Sequence, residues 1–473
     1  MKARTIVYMP VLLVGLTACA SVNFNAGFPD VSARVEERAN AKIGWHDGVE
    51  LDEQTAERLR ALLQRKLTAD DAVQIALLNN RDLQAMYSDL GVAQADLVQA
   101  GLFRNPILDA AVAFRLGPGR PDLQLGMVFG FLDALYVPLR KRVAAAQFEE
   151  TKSRVTGTVL DFVLDVRNAF YEYQADEQML ELRGTIAAAL DASVEVSRRL
   201  HEAGNITDLD FARHRAAMAR SRLELRSAEV ATRQSRERLN GLMGLSGRNT
   251  DWDLDQRLPD VPAEPLALTD VERSAIARSL DLEHARQRIV LAGQRHGYDR
   301  AIALVPSMEI GAVAEKEPGE PWKVGPSVSV PLPIFDQGQA RVARGAAELR
   351  RAQHEYYALA VRIRATARAL VERVRGAGER ALFLRDIVLP LQERIVGEAQ
   401  LQYNAMQLGI FDLLRDRQQQ IEAGVEYVGV LREYWGARAD LLHLLSGRLP
   451  AAEASRPRGT TGKTGTKENG HGE

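Results

Sequence analysis

The chain repeats itself at a spacing of about 200 residues, and this duplication limits its fold more than any other feature. Leu242-Met243-Gly244-Leu245-Ser246-Gly247 returns as Leu442-His443-Leu444-Leu445-Ser446-Gly447, and Asn105-Pro106 returns as Val305-Pro306. Leu67-Thr68-Ala69-Asp70-Asp71 returns as Leu268-Thr269-Asp270-Val271-Glu272, each reading as a threonine N-cap with an acid three residues on. Landmarks in one order at near-constant spacing describe one unit written twice, with a period too long for a solenoid repeat. A chain of 473 residues would otherwise suggest several unrelated domains.

Each copy runs through the same events. After the proline come two short extended runs, 107–116 with 123–131 and 307–314 with 324–332, separated by Gly, Pro and charged residues as in a β-hairpin. Polarity alternates clearly in Val324, Ser327, Val328, Ser329 and Val330, and less well in the first hairpin. A proline-marked exit follows, Val137-Pro138 or Pro331-Leu332-Pro333, leading into some sixty residues with almost no breaker. Ile363, Ala367, Leu370, Val374, Ala377, Ala381, Leu384, Val388, Leu391 and Ile395 step by four and three, as in a coiled-coil seam, and Val155, Val159, Phe162, Val166, Ala169 and Tyr173 do the same in copy one. Sixty helical residues would extend about 90 Å, and Pro390 is expected to bend the second helix or change its winding. Each long helix then turns back at a glycine, Gly204 or Gly409, and a second helix returns over 209–242 or 413–445.

Composition agrees with long helices: 46% hydrophobic, 26% charged and only 6% aromatic residues. A formal net charge of −2 offers no field for a nucleic-acid backbone, so nucleic acid is not an expected partner. The single cysteine rules out an internal disulfide framework and gives its meaning by position. Lys2 and Arg4 precede an apolar run from Ile6 to Leu16, too short to span a bilayer, and Leu16-Thr17-Ala18-Cys19 closes it. This is similar to a bacterial lipobox, implying cleavage before Cys19 and acylation of it, with Ala20 fitting outer-membrane sorting.

The strand lengths suit a transmembrane β-strand, yet four strands cannot close a membrane barrel, for which about eight is the minimum. Open edges in lipid leave backbone groups unpaired, so such a chain must oligomerise. The lipobox, the capped helix starts, Asn105-Pro106, the Val330-Pro331-Leu332-Pro333-Ile334-Phe335-Asp336 exit, the glycine turns and the Leu-x-x-Leu-Ser-Gly close together resemble the TolC-like outer-membrane efflux family over residues 60–447. The resemblance implies a mainly α fold with a small β part: duplicated helical hairpins forming a coiled-coil tunnel, and two β-hairpins per chain in a 12-stranded trimeric barrel. It implies a homotrimer in outer-membrane lipid, a periplasmic adaptor docking at the helix tips near Gly204 and Gly409, and an inner-membrane pump of the resistance-nodulation-division class. It places the periplasmic entrance at His201, Asp210, Tyr403, Asp412 and Arg415. Arg415 departs from the family pattern, which has a second acid there, and so weakens the case for a double acidic ring. The expected organisation is a signal peptide over 1–18, a lipidated strap over 19–66, repeats over 67–247 and 268–447 joined by 248–267, and a disordered tail over 448–473.

No phosphate loop, nucleophile elbow or metalloprotease motif appears, and the eight histidines form no His-x-x-x-His pair, so neither catalysis, metal nor cofactor is expected. His214 and Arg215 read as a solvated pair on a helix. The function expected is an outer-membrane conduit carrying toxic small solutes, metal ions or drugs, from a pump to the exterior. The rivals are a type I secretion channel, a periplasmic adaptor, whose β-rich modules are missing, and a lipidated coiled-coil spacer that bridges membranes without conducting.

Overall fold

The computed structural model describes residues 22–46, 53–114, 120–254, 257–262, 269–304, 308–332 and 334–450. Cys19, the Val305-Pro306 pair, Pro333 and the tail beyond 450 therefore lie outside the described residues. The elements run α1 (Phe28–Ala39), α2 (Glu53–Leu63), α3 (Ala69–Asn79), α4 (Arg81–Gly101), β1 (Ile107–Ala113), β2 (Asp122–Gly130), α5 (Phe131–Glu202) and α6 (Asp208–Met243). The second half follows with α7 (Val271–Ala277), α8 (Leu280–Leu304), β3 (Glu309–Lys316), β4 (Lys323–Ser329), α9 (Gln339–Phe383), a π-helical turn (Leu384–Val388), α10 (Leu389–Asn404) and α11 (Ile410–Ser446). None of the described helices is long and apolar enough to cross a membrane.

Both seams are used. Val155, Val159, Val166, Ala169 and Tyr173 of α5 are buried against α3, α4 and the N-terminal strap, whose α1 inserts Val31 and Val35. Ile363, Ala367, Leu370, Val374 and Ala377 of α9 bury against Tyr434, Ala437 and Leu441 of α11. The change of winding expected at Pro390 falls just before it, in the π turn, and below that turn the seam loses its cover: Leu391 is 52% and Ile395 38% exposed.

Three local expectations are corrected. Thr68 does cap α3 reciprocally with Asp71, but α7 begins after Asp270, which has φ 58°, and no side chain caps it. Pro138 does not mark an exit, because α5 starts at Phe131 and carries the proline in its interior, where the ring leaves the Ala134 carbonyl without its i→i−4 donor. In copy two the exit does precede the helix: residues 330–332 lie outside any regular element, and α9 begins after Gly338 at φ 75°. The closing motifs also differ, since α6 ends at Gly244 (φ 66°) whereas α11 continues to Gly447 (φ 108°).

The four strands form one antiparallel sheet in the order β1-β2-β3-β4. Its register sorts polarity far better than the first hairpin alone suggests. Leu108 pairs with Met127, Ala110 with Leu125 and Val112 with Leu123; these pair onward with Ala312, Ala314 and Lys316, while Ile310 faces Val328 and Ala314 faces Val324. Paired residues share a face. The opposite face collects Asp109, Asp122, Gln124, Glu309, Glu315, Lys323, Ser327 and Ser329. Lys316 is the one polar strand residue on the apolar face, at the strand's end, its ammonium 5.6 Å from the Trp322 ring centre.

The two copies are tied together at mid-height. Linker residue Trp252 donates to Asn240 at 2.7 Å and lies 4.4 Å under the Arg236 guanidinium, and Leu258 is buried farther along. His443 of α11 lies 2.9 Å from Asp161 of α5, and Arg448 pairs with both Asp161 and Asp281. Burial would raise the Asp161 carboxyl, but bonds from His443 and Arg448 hold it below the usual range. Arg448 and the buried Leu449 thus belong to the packed structure, although the tail was expected to start at 448.

Candidate functional site

The ends of the helical arms hold every residue proposed for the entrance. In copy one, α5 closes with Gly204 at φ 74°, where Asn205 N–H reaches back to the Leu200 carbonyl at 2.8 Å. This 6→1 bond satisfies a terminal carbonyl and asks for a residue without Cβ strain. Thr207 then caps α6: its hydroxyl accepts from Asp210 N–H at 3.1 Å and donates to the Asp210 carboxylate at 2.8 Å. His201 Nε2 sits 2.6 Å from Asp208 Oδ1, and its ring stacks on Phe211 with centroids 5.0 Å apart.

Copy two repeats this turn 202 positions later, and the equivalence corrects the pairing of Gly204 with Gly409. Gln407 N–H bonds to the Gln402 carbonyl at 2.8 Å, and the left-handed residue is Met406, at φ 59°. Gly409 has φ −76° and stands where Thr207 stands in copy one, as an N-cap without a side chain. Left-handed turns favour glycine, and residue spacing therefore points to the nearby Gly409. A methionine there costs about 1–2 kcal/mol and is invisible to that rule. Met406 is also 95% exposed.

The entrance acids do not stand as bare carboxylates. Asp210 is 3.1 Å from Arg213 and Asp412 is 3.1 Å from Arg415, so each acid is paired three residues along its own helix. The Thr207 hydroxyl, helped by Arg213, holds Asp210 below the usual carboxylate range. Arg415 is therefore the counterpart of Arg213, and the two turns share one acid-and-arginine pattern. Tyr403 is 38% exposed on the last turn of α10. Among the described residues no hydrogen bond joins Asp210 to Asp412.

The contact that does join the two turns is one the sequence concealed. His214 stacks on Phe411 with centroids 4.2 Å apart and planes 27° from parallel. Burial lowers the His214 pKa; Asp210 opposes that shift and Arg415 adds to it. A histidine inside a charged helix looks solvated, and only the tertiary structure brings Phe411 to it. Among the described residues no group of His, Cys, Asp and Glu is arranged to hold a metal ion.

A family profile described as outer membrane efflux protein matches residues 138–245, the long helical hairpin of copy one. The cobalt-zinc-cadmium resistance protein CzcC of Cupriavidus metallidurans is 24% identical over 388 residues, covering 80% of this chain and 90% of that protein. Over the copy-one hairpin and most of its length, the chain is similar to TolC-like outer-membrane efflux proteins. A probable efflux pump outer membrane protein of Pseudomonas putida, TtgC, is 25% identical over 304 residues, 57% of this chain and 60% of that one. The CmeC outer membrane channel of Campylobacter jejuni shares the fold, with a TM-score of 0.66 at 14% identity over 81% of this chain and 86% of its own.

Proposed function

We propose that the chain is the outer-membrane channel of a tripartite efflux system, a passive conduit that three copies build together. The observation that carries this reading is the sorted sheet: thirteen apolar positions and one terminal lysine on one face, and the polar strand residues on the other. An apolar face about 9 residues tall matches a membrane strand, and the Lys316–Trp322 pair suits the boundary where lipid meets water. Among the described residues the outer edges of β1 and β4 have no partner strand, and copies side by side would pair them. Two copies give too small a ring to conduct; three give twelve strands. Leu391 and Ile395, together with Phe383 and Ile387 at 56% and 51% exposure, supply apolar surface for the same neighbours along the arms.

The paired turns then form the periplasmic entrance, with Asp210, Asp412, Arg415, His201 and Tyr403 around it and Gly204 and Gly409 near the surface that meets the adaptor. Energy comes from the partner pump, and the chain itself catalyses nothing. Cys19 carries the lipid, and the organisation follows the boundaries given above, with Arg448 and Leu449 joined to the second repeat. Similarity to CzcC favours metal ions as cargo, while similarity to a toluene efflux pump outer membrane protein of Pseudomonas putida points to organic solutes; a passive wall leaves that choice to the pump.

Native mass spectrometry of the detergent-purified protein tests the assembly: a trimer is expected, and a monomer across several mild detergents would return the spacer reading to first place. Labelling with a clickable fatty acid tests the anchor, where Cys19→Ser is expected to abolish label and processing, and a labelled variant would remove Cys19 from the account.

A further inference from the structure

Below β4 the chain carries a run of uncharged residues, from Val330 to Phe335, before its next charge at Asp336. Their apolar side chains are left open: Phe335 is 91% exposed, Leu332 76% and Ile334 67%. The backbone around them is nevertheless bonded. Ile334 N–H donates to the Leu332 carbonyl at 2.8 Å, Gly338 N–H donates to the Asp336 carboxylate at 2.8 Å, and the Gln339 amide donates to the Phe335 carbonyl at 3.4 Å. A bonded turn at the head of α9 thus holds the Phe335 ring out with nothing against it.

At the other edge of the sheet, below β1, the end of α4, the segment 102–105 and α5 enclose a cleft of about 530 Å³. Leu102 and Phe103 give it an apolar wall, and both are exposed. Arg140 braces that wall, donating to the Ala100 and Leu102 carbonyls at 2.9 and 2.6 Å and to Asp133 at 3.1 Å. Arg104 stands 3.5 Å from the same Asp133, and Asp96 lies on the rim. Two arginines against two carboxylates leave no spare charge, so the cleft suits an uncharged, apolar occupant.

The chain does not fill its own cleft. In the order β1-β2-β3-β4 the two features leave opposite edges of the sheet, three strand spacings or about 14 Å apart. Ile107 pairs with Val128, Val128 with Gly311 and Gly311 with Ser327, so the start of β1 and the end of β4 lie at the same end of the sheet. Closing a ring from several copies sets each β4 beside the next copy's β1, and the apolar run below β4 then arrives at residues 102–105 of that neighbour.

We infer that the cleft below β1 is completed by the neighbouring copy, whose Leu332, Ile334 and Phe335 seat against Leu102 and Phe103. The inference rests on the trimer reading and deepens it. Strand pairing joins the copies through backbone bonds alone, whereas this contact adds a side-chain latch where the sheet meets the arms. Two exposed phenylalanines meeting there gain apolar burial and a ring pair together.

Asn105→Cys and Leu332→Cys, placed together in the full-length chain, leave both phenylalanines in position, and a short bismaleimide applied to the detergent-purified protein reads their distance. Linked dimers and trimers are expected on a denaturing gel, and neither single variant should give them. Phe335→Ser should weaken association between copies by roughly tenfold or more per contact, while Phe335→Leu should keep it; the exposure of Phe335 spares the fold of the single chain. A trimer by native mass spectrometry that yields only unlinked or internally linked chains overturns the contact and leaves the cleft to lipid. A Phe335→Ser trimer as stable as the parent overturns it too. A monomer before any linker is added would instead remove the trimer reading itself, and the contact with it, so the two failures are told apart.

Discussion

The first copy's arm is one uninterrupted helix, α5, of 72 residues, and its turn is built from residues that suit their positions: Gly204 at the left-handed site and Thr207 as a bonded N-cap. The second copy reaches the same turn through α9, a π turn and α10, and it places Met406 at the left-handed site and Gly409 at the cap. The left-handed glycine and the bonded N-cap of the first turn are both replaced in the second by less favourable residues, while the 6→1 bond and the acid–arginine pair are kept. An identical topology therefore carries one turn of favourable local geometry and one with a strained left-handed residue, and His214 on Phe411 ties the two together. At mid-height the difference vanishes, since Arg448 fastens α5, α8 and the end of α11 together.

That knot should show the largest effect. Arg448→Ala leaves Asp161 and Asp281 close together without their shared cation, and is expected to cost about 2–3 kcal/mol, less than a fully buried pair because Arg448 is 21% exposed. A drop in the helical melting temperature checks it; an unchanged melt would mean the copies are joined by apolar packing alone.

The turns can be exchanged to sharpen the comparison. Gly204→Met should destabilise copy one by about 1–2 kcal/mol, and Met406→Gly should stabilise copy two by a similar amount, because both act on one left-handed position. Hydrogen exchange at the two tips resolves the effects separately. If both substitutions destabilise, Met406 earns its place through a contact that outweighs the strain.

The smallest effect concerns acidity. His214 has a lowered pKa in the folded protein, so its stabilising contact is fully present above the ordinary histidine value of about 6.5 and is lost as pH falls below it. Spin labels at Asn205 and Gln407 should report a broader distance distribution in mild acid, and His214→Phe should remove that pH dependence while keeping the stack. A distribution indifferent to pH in the wild type would mean that the ring stays stacked when protonated.

Much of this was legible in advance because it is periodic. The duplication, the seams, the hairpins and the disturbance near Pro390 all leave marks in residue spacing. What stayed hidden depends on backbone geometry or on distant partners. Met406 violates the glycine preference on which turn reading depends, Pro138 lies inside α5 although proline ordinarily ends a helix, and His214 gains meaning only from a ring nearly two hundred residues away. The sorting of Leu108, Ala110 and Val112 onto the apolar face was similarly unreadable from one strand, because it emerges from the register with β2.

The central claim is that three copies enclose a continuous aqueous path, and planar-bilayer recording of the purified, correctly folded protein tests it most directly. Discrete conductance steps are expected, raised by Asp210→Ala with Asp412→Ala as the turns loosen, with weaker block by multivalent cations. A well-folded trimer that inserts and carries no current, in the wild type and in the double variant alike, would contradict the account and leave the arms as a spacer.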